Sequence, residues 1–281
     1  MTVIAMTREL GSLGAEVAAG VAKALNLKVI HSEIVANQVA GRLGIEEGAV
    51  RRYVDGKASI VERWLINRRK LSRYTCEEML RLAQQDNVLI RGWGAATLLR
   101  DMPHVISVRV CASIDFRVRV MMDKLGIPDG DAARQDNVRQ EIERFDTAHA
   151  RALRTTFGIE QEDALLYHVV LNTERLPVEA CVGAVRELAG HARFRDSFAA
   201  RTVLANRLLE ASINSALNDE IGIGMAPAGL TVSAANGNVT LIGTSSSGRL
   251  RAKAEKVASR IDGVRHIDNR IVSVPNRGSE F

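Results

Sequence analysis

The sequence predicts an α/β fold, in which a parallel sheet is flanked by helices and a small α+β domain follows. Strand-length apolar runs alternate with helical periodicities up to about residue 190, as is typical of a parallel sheet with right-handed crossovers. After a short polar stretch, the pattern changes to helix, hairpin, helix and strand. A glycine-rich turn follows the first strand. We therefore predict two domains, residues 1–195 and residues 196–281.

The first strand, turn and helix carry the clearest functional signal. Val3–Ala5 is an apolar run of the kind that fills a buried strand, and Gly11, Ser12 and Gly14 follow it at loop spacing. Apolar residues then recur at helical spacing as far as Leu25. Backbone N–H groups and the helix dipole favour an anion at such a turn, so we predict a phosphate site. The alternative is a tight turn without a ligand.

The turn is not a complete Walker A motif. That motif, G-x-x-x-x-G-K-[ST], supplies a lysine for the outer phosphates and a hydroxyl for magnesium. Here Gly14 stands at the lysine position and Glu16 at the hydroxyl position. Arg8 precedes the turn, and its guanidinium could supply the missing charge and bind phosphate through two hydrogen bonds.

Further elements of the first domain follow from apolar runs and periodicity. We predict these strands and helices: Lys28–Ile30, Asn87–Ile90, Val105–Val110 and Tyr167–Leu171 as strands, and residues 32–85, Ile114–Leu125, Asp131–Leu153 and Pro177–Leu188 as helical. Ligands of parallel sheets bind beyond the carboxyl ends of the strands. We therefore expect Arg8, Arg91 and Trp93 to converge near the glycine turn. Trp93 either stacks on a base or packs in the core.

Two helical segments are strongly charged, and each of them allows two interpretations. Arg68–Arg73 lies in the segment 32–85, as either a solvated helix face or a mobile region that closes over an anionic acceptor. The helix Asp131–Leu153 is strongly charged, and its arginines either form exposed ion pairs or neutralise a phosphate. His149, on the same helix, is interpreted as a surface histidine.

Composition narrows the class of protein. The chain has 281 residues, 46% of them hydrophobic, and a formal net charge of +5, which suits a globular protein with anionic small ligands. Dense basic runs are lacking and only 4% of residues are aromatic, so we expect no nucleic-acid partner. Cys76, Cys111 and Cys181 are widely spaced and are interpreted as reduced, mostly buried thiols without a zinc site. With no apolar run of membrane-spanning length, we expect a cytoplasmic protein.

The glycine turn and several later segments resemble the cytidylate kinase-like proteins. Thr7–Glu16 is similar to their S-R-x-x-G-S-G-G-R-E loop. The later matching segments are Val88–Ala95 (a strand followed by G-R-G-A), Ala112–Arg119 (A-x-x-x-x-R-x-x-R), Asp146 with Arg151 (D-x-x-x-x-R) and Leu171–Thr173 (a strand ending in N-T). Four positions depart from the family pattern: Leu13 replaces glycine, Ala15 and Trp93 replace arginine, and His31 replaces aspartate.

The resemblance implies a P-loop kinase-like fold that uses ATP and Mg²⁺ to phosphorylate a small acceptor, which could be a cytidine nucleotide. It also implies two sets of site residues: Arg8, Arg117, Asp146 and Arg151 as catalytic, and Gly11, Ser12, Gly14, Glu16, Arg91, Gly92 and Gly94 as cofactor-binding. Asp146 is expected to orient either Arg151 or magnesium. No residue is assigned as a direct metal ligand.

The C-terminal segment resembles a BON domain. Asn236–Gly243 is similar to the N-G-x-V-x-L-x-G pattern of that family, and Gly263–Asn269 to its G-V-x-x-V-x-N pattern. Asn-Gly between alternating segments predicts a β-hairpin. Ser247 is expected to cap the following helix. The resemblance implies a phospholipid or another small ligand and no catalytic residues.

Three functions are compatible with these observations. The first is a phosphotransferase of the nucleoside monophosphate kinase type. The second is a catalytically inactive nucleotide sensor coupled to the BON module, and the third is a structural interaction protein. The sequence leaves the acceptor, the BON ligand and the oligomeric state open.

Overall fold

The computed structural model describes residues 2–128, 130–221, 228–245 and 248–273. The chain divides into two compact units, Met1–Ala200 and Arg201–Phe281. The predicted boundary between residues 195 and 196 stays a prediction.

The first unit contains a five-stranded parallel sheet. Its strands are β1 (Val3–Arg8), β2 (Lys28–Ile30), β3 (Val88–Arg91), β4 (Val105–Cys111) and β5 (Val169–Asn172). They lie in the order β2-β3-β1-β4-β5, and each pair of neighbours is parallel. The prediction of a parallel sheet is confirmed. Five of the six residues of β1 are buried, because this strand has a neighbour on each side and helices above and below.

Nine helices of the first unit connect and cover these strands in the described part of the chain. They are α1 (Gly14–Leu25), α2 (Ser32–Leu43), α3 (Ala49–Val54), α4 (Ile60–Leu65), α5 (Arg68–Ala83), α6 (Ala95–Leu98), α7 (Ile114–Leu125), α8 (Ala132–Phe157) and α9 (Val178–Gly190). The segment predicted as helical over 32–85 therefore consists of four helices. Gly44, Gly48 and Gly56, all at positive φ, lie in the breaks between them. Pro128, Asp129 and Gly130 have the composition of a turn after α7, but Asp129 lies outside the described residues.

Helices cover both faces of the sheet. Ile4 and Met6 of β1 share one core cluster with Val17 and Val21 of α1 and with Val185 of α9. Helices α5 and α6 also contact the sheet, but they contribute no residue to that cluster. Because successive strand residues point to opposite faces, α5 and α6 cover the other face.

The second unit is a smaller mixed α+β structure. It contains all but the first three residues of α10 (Phe198–Ile221) and the whole of β6 (Ala228–Ala235), β7 (Asn238–Ser245), α11 (Gly248–Ala258) and β8 (His266–Ser273). Strands β6 and β7 form the predicted hairpin, and β7 pairs with β8 in parallel. Asn236 and Gly237 both have positive φ, as a two-residue hairpin turn of this composition requires. Ser247, the predicted cap, lies outside the described residues.

Two expectations drawn from composition can be compared with the structure. No helix within the described ranges is both long and apolar enough to cross a bilayer. No disulfide joins the three cysteines; Cys181 is buried, whereas Cys76 and Cys111 are partly exposed. The expectation that the thiols are mostly buried was therefore wrong. Cys76 lies on α5 and Cys111 at the end of β4, where neighbouring elements cover them incompletely.

The packing of Gly11 gives a first prediction. Its φ is +81°, and an added Cβ would lie 2.8 Å from the carbonyl oxygen of Arg117. Left-handed strain together with this backbone clash should make Gly11→Ala destabilising by about 3 kcal/mol. Gly44→Ala is the matched control, because Gly44 has a φ of +69° with no atom within 4 Å. It should cost about 1 kcal/mol.

Denaturant unfolding followed by tryptophan fluorescence measures both variants. The two tryptophans of the chain, Trp64 and Trp93, lie in the first unit, so the signal reports on that unit. If both variants lost the same free energy of unfolding, the contact between Gly11 and α7 would not be a tight one.

Candidate functional site

The loop over residues 9–13 joins the central strand β1 to α1 at the carboxyl edge of the sheet. Ser12 is completely buried, and its Oγ donates to the carbonyl of Glu9 over 2.8 Å. The Ser12 carbonyl accepts a hydrogen bond from Thr173 Oγ1 at 2.7 Å. Hydrogen bonds to the protein interior therefore hold the loop in place, and the Ser12 hydroxyl points into the protein. A contact between Ser12 and a ligand stays a prediction.

Leu13 keeps a backbone conformation that glycine adopts more readily. It precedes α1 with a φ of 54° and gives no side-chain cap. The cytidylate kinase-like pattern has glycine here. A left-handed conformation costs an L-residue about 1 kcal/mol or more, so surrounding structure holds this loop in its shape despite the substitution.

Arg8 lies across the beginning of α1. An added Cβ on Gly14 would lie 2.6 Å from Arg8 Cβ and 3.0 Å from Arg8 Cδ, so glycine leaves the space that the arginine stem occupies. Arg8 is half-buried and forms no ion pair with any described carboxylate. It lies beside the positive end of the α1 dipole, where a cation is unfavourable and an anion is favoured.

A second arginine lies near the first. Arg91 ends β3 and contacts His31, with its Nη2 2.8 Å from His31 Nδ1. Burial, followed by the neighbouring charge of Arg91, lowers the pKa of Arg8, while Glu16 and Glu33 oppose that shift. His31 stands where the family pattern has aspartate, so Arg91 contacts an imidazole instead of a carboxylate. Both arginines thus lack a close anionic partner among the described residues.

Glu16 is the acidic residue of the site. Its Oε1 accepts a hydrogen bond from Lys124 Nζ at 2.5 Å. Its Oε2 is buried without a hydrogen-bond partner in the described structure. Burial alone would raise the pKa of Glu16, but the bond from Lys124 and the charge of Arg8 hold it below its ordinary value. The carboxylate is therefore ionised and has one unoccupied oxygen.

The residues of the site fit both the phosphates of ATP and a magnesium ion. The glycine turn, the start of α1 and Arg8 fit a phosphate chain. Mg²⁺ commonly binds through one or two carboxylates, phosphate oxygens and water, and the unpartnered Glu16 Oε2 fits that pattern. Across the described residues, no cluster of three or more His, Cys, Asp or Glu side chains could hold a metal ion by itself.

The turn after β3 has an unusual backbone conformation. Gly92, Trp93 and Gly94 all have positive φ, at 88°, 58° and 69°. Such a φ is rare for a bulky residue. Trp93 is only 3% exposed, so it packs in the core rather than offering a ring to a base. An added Cβ on Gly94 would lie 3.0 Å from Ile159 Cδ1, so this glycine is also packed against protein.

A buried network of charges lies beneath the loop. Glu9 accepts hydrogen bonds from Arg109 Nη2 at 2.7 Å and from the backbone N–H of Ala112 at 3.1 Å. Arg117 lies between two carboxylates, with Asp146 at 2.7 Å and Glu9 at 3.7 Å. The two arginine side chains are each 9% exposed. These contacts join the loop after β1 to β4, α7 and α8.

This network changes the interpretation of two predicted catalytic residues. Asp146 was expected to orient Arg151 or magnesium, but it pairs with Arg117 instead. Arg117 Nη1 also donates to the Leu10 carbonyl at 3.4 Å. Burial raises the pKa of Asp146 even though Arg117 opposes the shift. Their geometry is that of residues that hold the loop in place, and a direct catalytic role for either one stays a prediction.

Arg151 is separated from the rest of the predicted site. It lies two residues after His149 on α8, which is a rotation of about 200° around the helix. His149 shares its helix face with Ile142 and Leu153, which are buried. Arg151 therefore points to the opposite side, into an outer cleft. The structure brings Arg8, Gly14, Glu16 and Arg91 together and leaves Arg151 apart.

His149 is a residue that the sequence analysis misjudged. Its ring stacks on Phe145 with centroids 5.7 Å apart, and its buried Nδ1 has no partner in the described structure. Burial lowers its pKa, Asp55 opposes that shift, and Arg8 reinforces it. The apolar residues Ile142 and Leu153 share its helix face. That spacing was the available signal that His149 faces inward.

Comparison with known proteins agrees with this architecture. The family model described as the cytidylate kinase-like family matches residues 3–175. The chain belongs to the cytidylate kinase-like family. A second model, the BON domain, matches residues 206–275. Both resemblances predicted from sequence motifs are confirmed.

Two individual proteins illustrate the relationship. A cytidylate kinase from Pyrobaculum aerophilum is 25% identical over 182 residues, which cover 65% of this chain and 89% of that protein. The crystal structure of an uncharacterized protein from Eubacterium ventriosum superimposes with a TM-score of 0.51 at 15% identity. That match covers 67% of this chain and 98% of the other, and it concerns the fold alone.

Removal of the central carboxylate of the network should be costly in this cytidylate kinase-like domain. Glu9→Ala leaves Arg109 and Arg117 with less compensation in a buried place, so we expect a loss of about 3 kcal/mol. The control Glu141→Ala breaks an exposed pair with Arg144 and should change stability by less than about 1 kcal/mol. Tryptophan-monitored unfolding compares the two. Similar losses of stability in the two variants would show that the charge network contributes little to the free energy of unfolding.

His149 should make stability depend on pH. The unfolded histidine takes up a proton near its ordinary pKa of 6.5, whereas burial lowers the pKa of the folded one. The unfolded state therefore binds more protons between these two values, and stability falls as the pH drops through 6.5. His149→Gln should reduce this fall, while His191→Gln, at an exposed position, should retain it. A pH series of unfolding curves with the same slope in all three proteins would contradict the assignment.

Proposed function

We propose that this chain binds a nucleoside triphosphate at the Gly11–Gly14 turn and transfers its terminal phosphoryl group to a small acceptor, such as a cytidine nucleotide. The observation that carries the proposal is Arg8. Its stem lies against Gly14 at the first turn of α1, and it has no ion pair with a described carboxylate. Only an anion at this place would compensate Arg8, Arg91 and the helix dipole together.

The proposed chemistry needs few reactive groups. Phosphoryl transfer depends largely on positioning and on neutralising charge. Arg8 would neutralise the phosphates of the donor, and the backbone N–H groups at the start of α1 would hold them. Arg91, at the end of the neighbouring strand, would bind the phosphate of the acceptor. Glu16 would hold magnesium, which supplies additional positive charge when it is bound.

The nature of the acceptor is proposed from the family. The relative from Pyrobaculum aerophilum is named a cytidylate kinase, which supports a nucleoside monophosphate as the acceptor. His31 and Trp93 replace residues of the family pattern beside this site. The choice of base is therefore the part of the proposal that these substitutions affect most.

A second candidate function rests on the residues that are already paired. Arg117 and Asp146 bind each other, and Arg151 faces away from the loop. A chain with these three residues so placed could bind a nucleotide without transferring phosphate. We propose residues 196–281 as a BON-like domain for a phospholipid or another small ligand, beside a nucleotide-binding domain over residues 1–195. In this alternative, nucleotide binding would change what the BON-like domain binds.

Arg8→Ala tests the phosphate site. A hydrogen bond to a charged group is worth about 1.5–3 kcal/mol, so we expect nucleotide affinity to fall about tenfold or more. Calorimetric titration of ATP with magnesium into the full chain measures it. The control Arg193→Ala removes an arginine from an exposed position and should leave affinity unchanged. Equal affinities in all three proteins would refute a phosphate site at Arg8.

Product analysis separates the two candidate functions. The full chain is incubated with ATP, magnesium and each nucleoside monophosphate, and nucleoside diphosphates are quantified by chromatography. Transfer that falls in Arg8→Ala and Glu16→Gln supports the kinase. Tight ATP binding without product for any acceptor would favour the sensor.

A further inference from the structure

A cationic cleft lies on the outer face of α8. It has a volume of about 640 Å³, and it is bounded by α8 and by the segment that contains α3, α4 and the start of α5. Its lining includes Arg63, Arg68, Arg144 and Arg151, with Glu143 as the one acidic residue. This size is within the range of small-ligand sites, which is roughly 300–1,000 Å³.

The cleft and the glycine turn lie on opposite sides of α8. Arg144, Ala148 and Arg151 line the cleft, and their spacing of four and three residues places them on one helix face. Asp146 and His149 belong to the other face, where they meet Arg117 and the surroundings of Arg8. A ligand in the cleft would therefore not occupy the proposed nucleotide site.

Several other arginines of this domain pair closely with a carboxylate, whereas the arginines of the cleft do not. Arg42, Arg52, Arg109, Arg117 and Arg139 each have a carboxylate oxygen within 2.5–2.7 Å. Arg68 and Arg151 have no ion pair with a described carboxylate. Arg63 donates only to the Gly56 carbonyl, at 3.2 Å, and Arg144 reaches Glu141 only at 3.4 Å. The cleft thus concentrates positive charge, with four arginines and the single acidic residue Glu143 in its lining.

We infer that this cleft is a second anion site, for a small molecule that carries two or more phosphate groups. Guanidinium groups bind phosphate through paired hydrogen bonds, and four of them line this concave surface. The half-buried ring of Tyr53 offers an apolar face within the same lining. A nucleic acid would need an extended basic stripe, whereas this cleft is limited to about 640 Å³, which favours a small ligand. This inference does not depend on the proposed kinase activity.

Titration of inorganic pyrophosphate into the ¹⁵N-labelled full chain tests the inference. Amide signals from residues 53–68 and 144–155 should shift along one binding curve, and those from residues 11–16 along another. In Arg68→Gln/Arg151→Gln, binding at the cleft should weaken about tenfold, while the curve for residues 11–16 stays unchanged. Arg8→Gln should give the reverse result.

The control variant is Arg186→Gln/Arg193→Gln, which removes the same charge from exposed positions on and after α9. It should bind pyrophosphate at the cleft as wild type does. If the amide signals of the cleft residues did not shift at millimolar pyrophosphate, the inference would be overturned. It would also be overturned if Arg68→Gln/Arg151→Gln bound pyrophosphate at the cleft as tightly as wild type. If that variant loses amide dispersion, Arg144→Glu replaces it, and undiminished cleft binding there would also overturn the inference. Shifts at the cleft but not at residues 11–16 would support this site while contradicting the proposed nucleotide site.

Discussion

The half-buried carboxylate of Glu9 makes the contacts on which the arrangement of the loop depends. It accepts hydrogen bonds from Arg109 of β4 and from the backbone after that strand, and it lies 3.7 Å from Arg117 of α7. Arg117 in turn holds Asp146 of α8. Because a buried charge without partners is costly, these elements can hardly move independently of the loop. The position of Arg8, one residue before Glu9, follows from this anchoring.

The helix α8 separates two electrostatic environments. Its inner face carries Asp146 and His149, which are half-buried and paired or stacked. Its outer face carries Arg144 and Arg151, which line the open cleft. Charged side chains of the same helix therefore have different surroundings, depending on the face that they occupy. An aspartate and an arginine five residues apart in a helical motif need not point to one site. Five residues correspond to about 500° of helix rotation, which places the two side chains about 140° apart.

Sequence reasoning predicted the elements whose signals are local. Asn236 and Gly237 adopt the positive φ that this dipeptide favours, and the apolar runs of β1 and β4 became buried strands. It did not predict the partners of Arg117 or the direction of Arg151. Those depend on which face of α8 contacts the rest of the domain, and charged residues occur on both faces. The left-handed backbone conformation of Leu13 could not be predicted either, because tertiary contacts hold it rather than the preference of leucine itself.

The central place of β1 has a consequence for synthesis and folding. Its partners begin at Val88 and Val105, so the strand is made long before either neighbour exists. Contacts between residues so distant in sequence form slowly, and an unpaired apolar strand is prone to aggregation in the meantime. A ribosome would have to complete β3 and β4 before the glycine turn could assume its shape. Ligand-binding geometry in this domain therefore arises late in folding, although its residues lie near the start of the sequence.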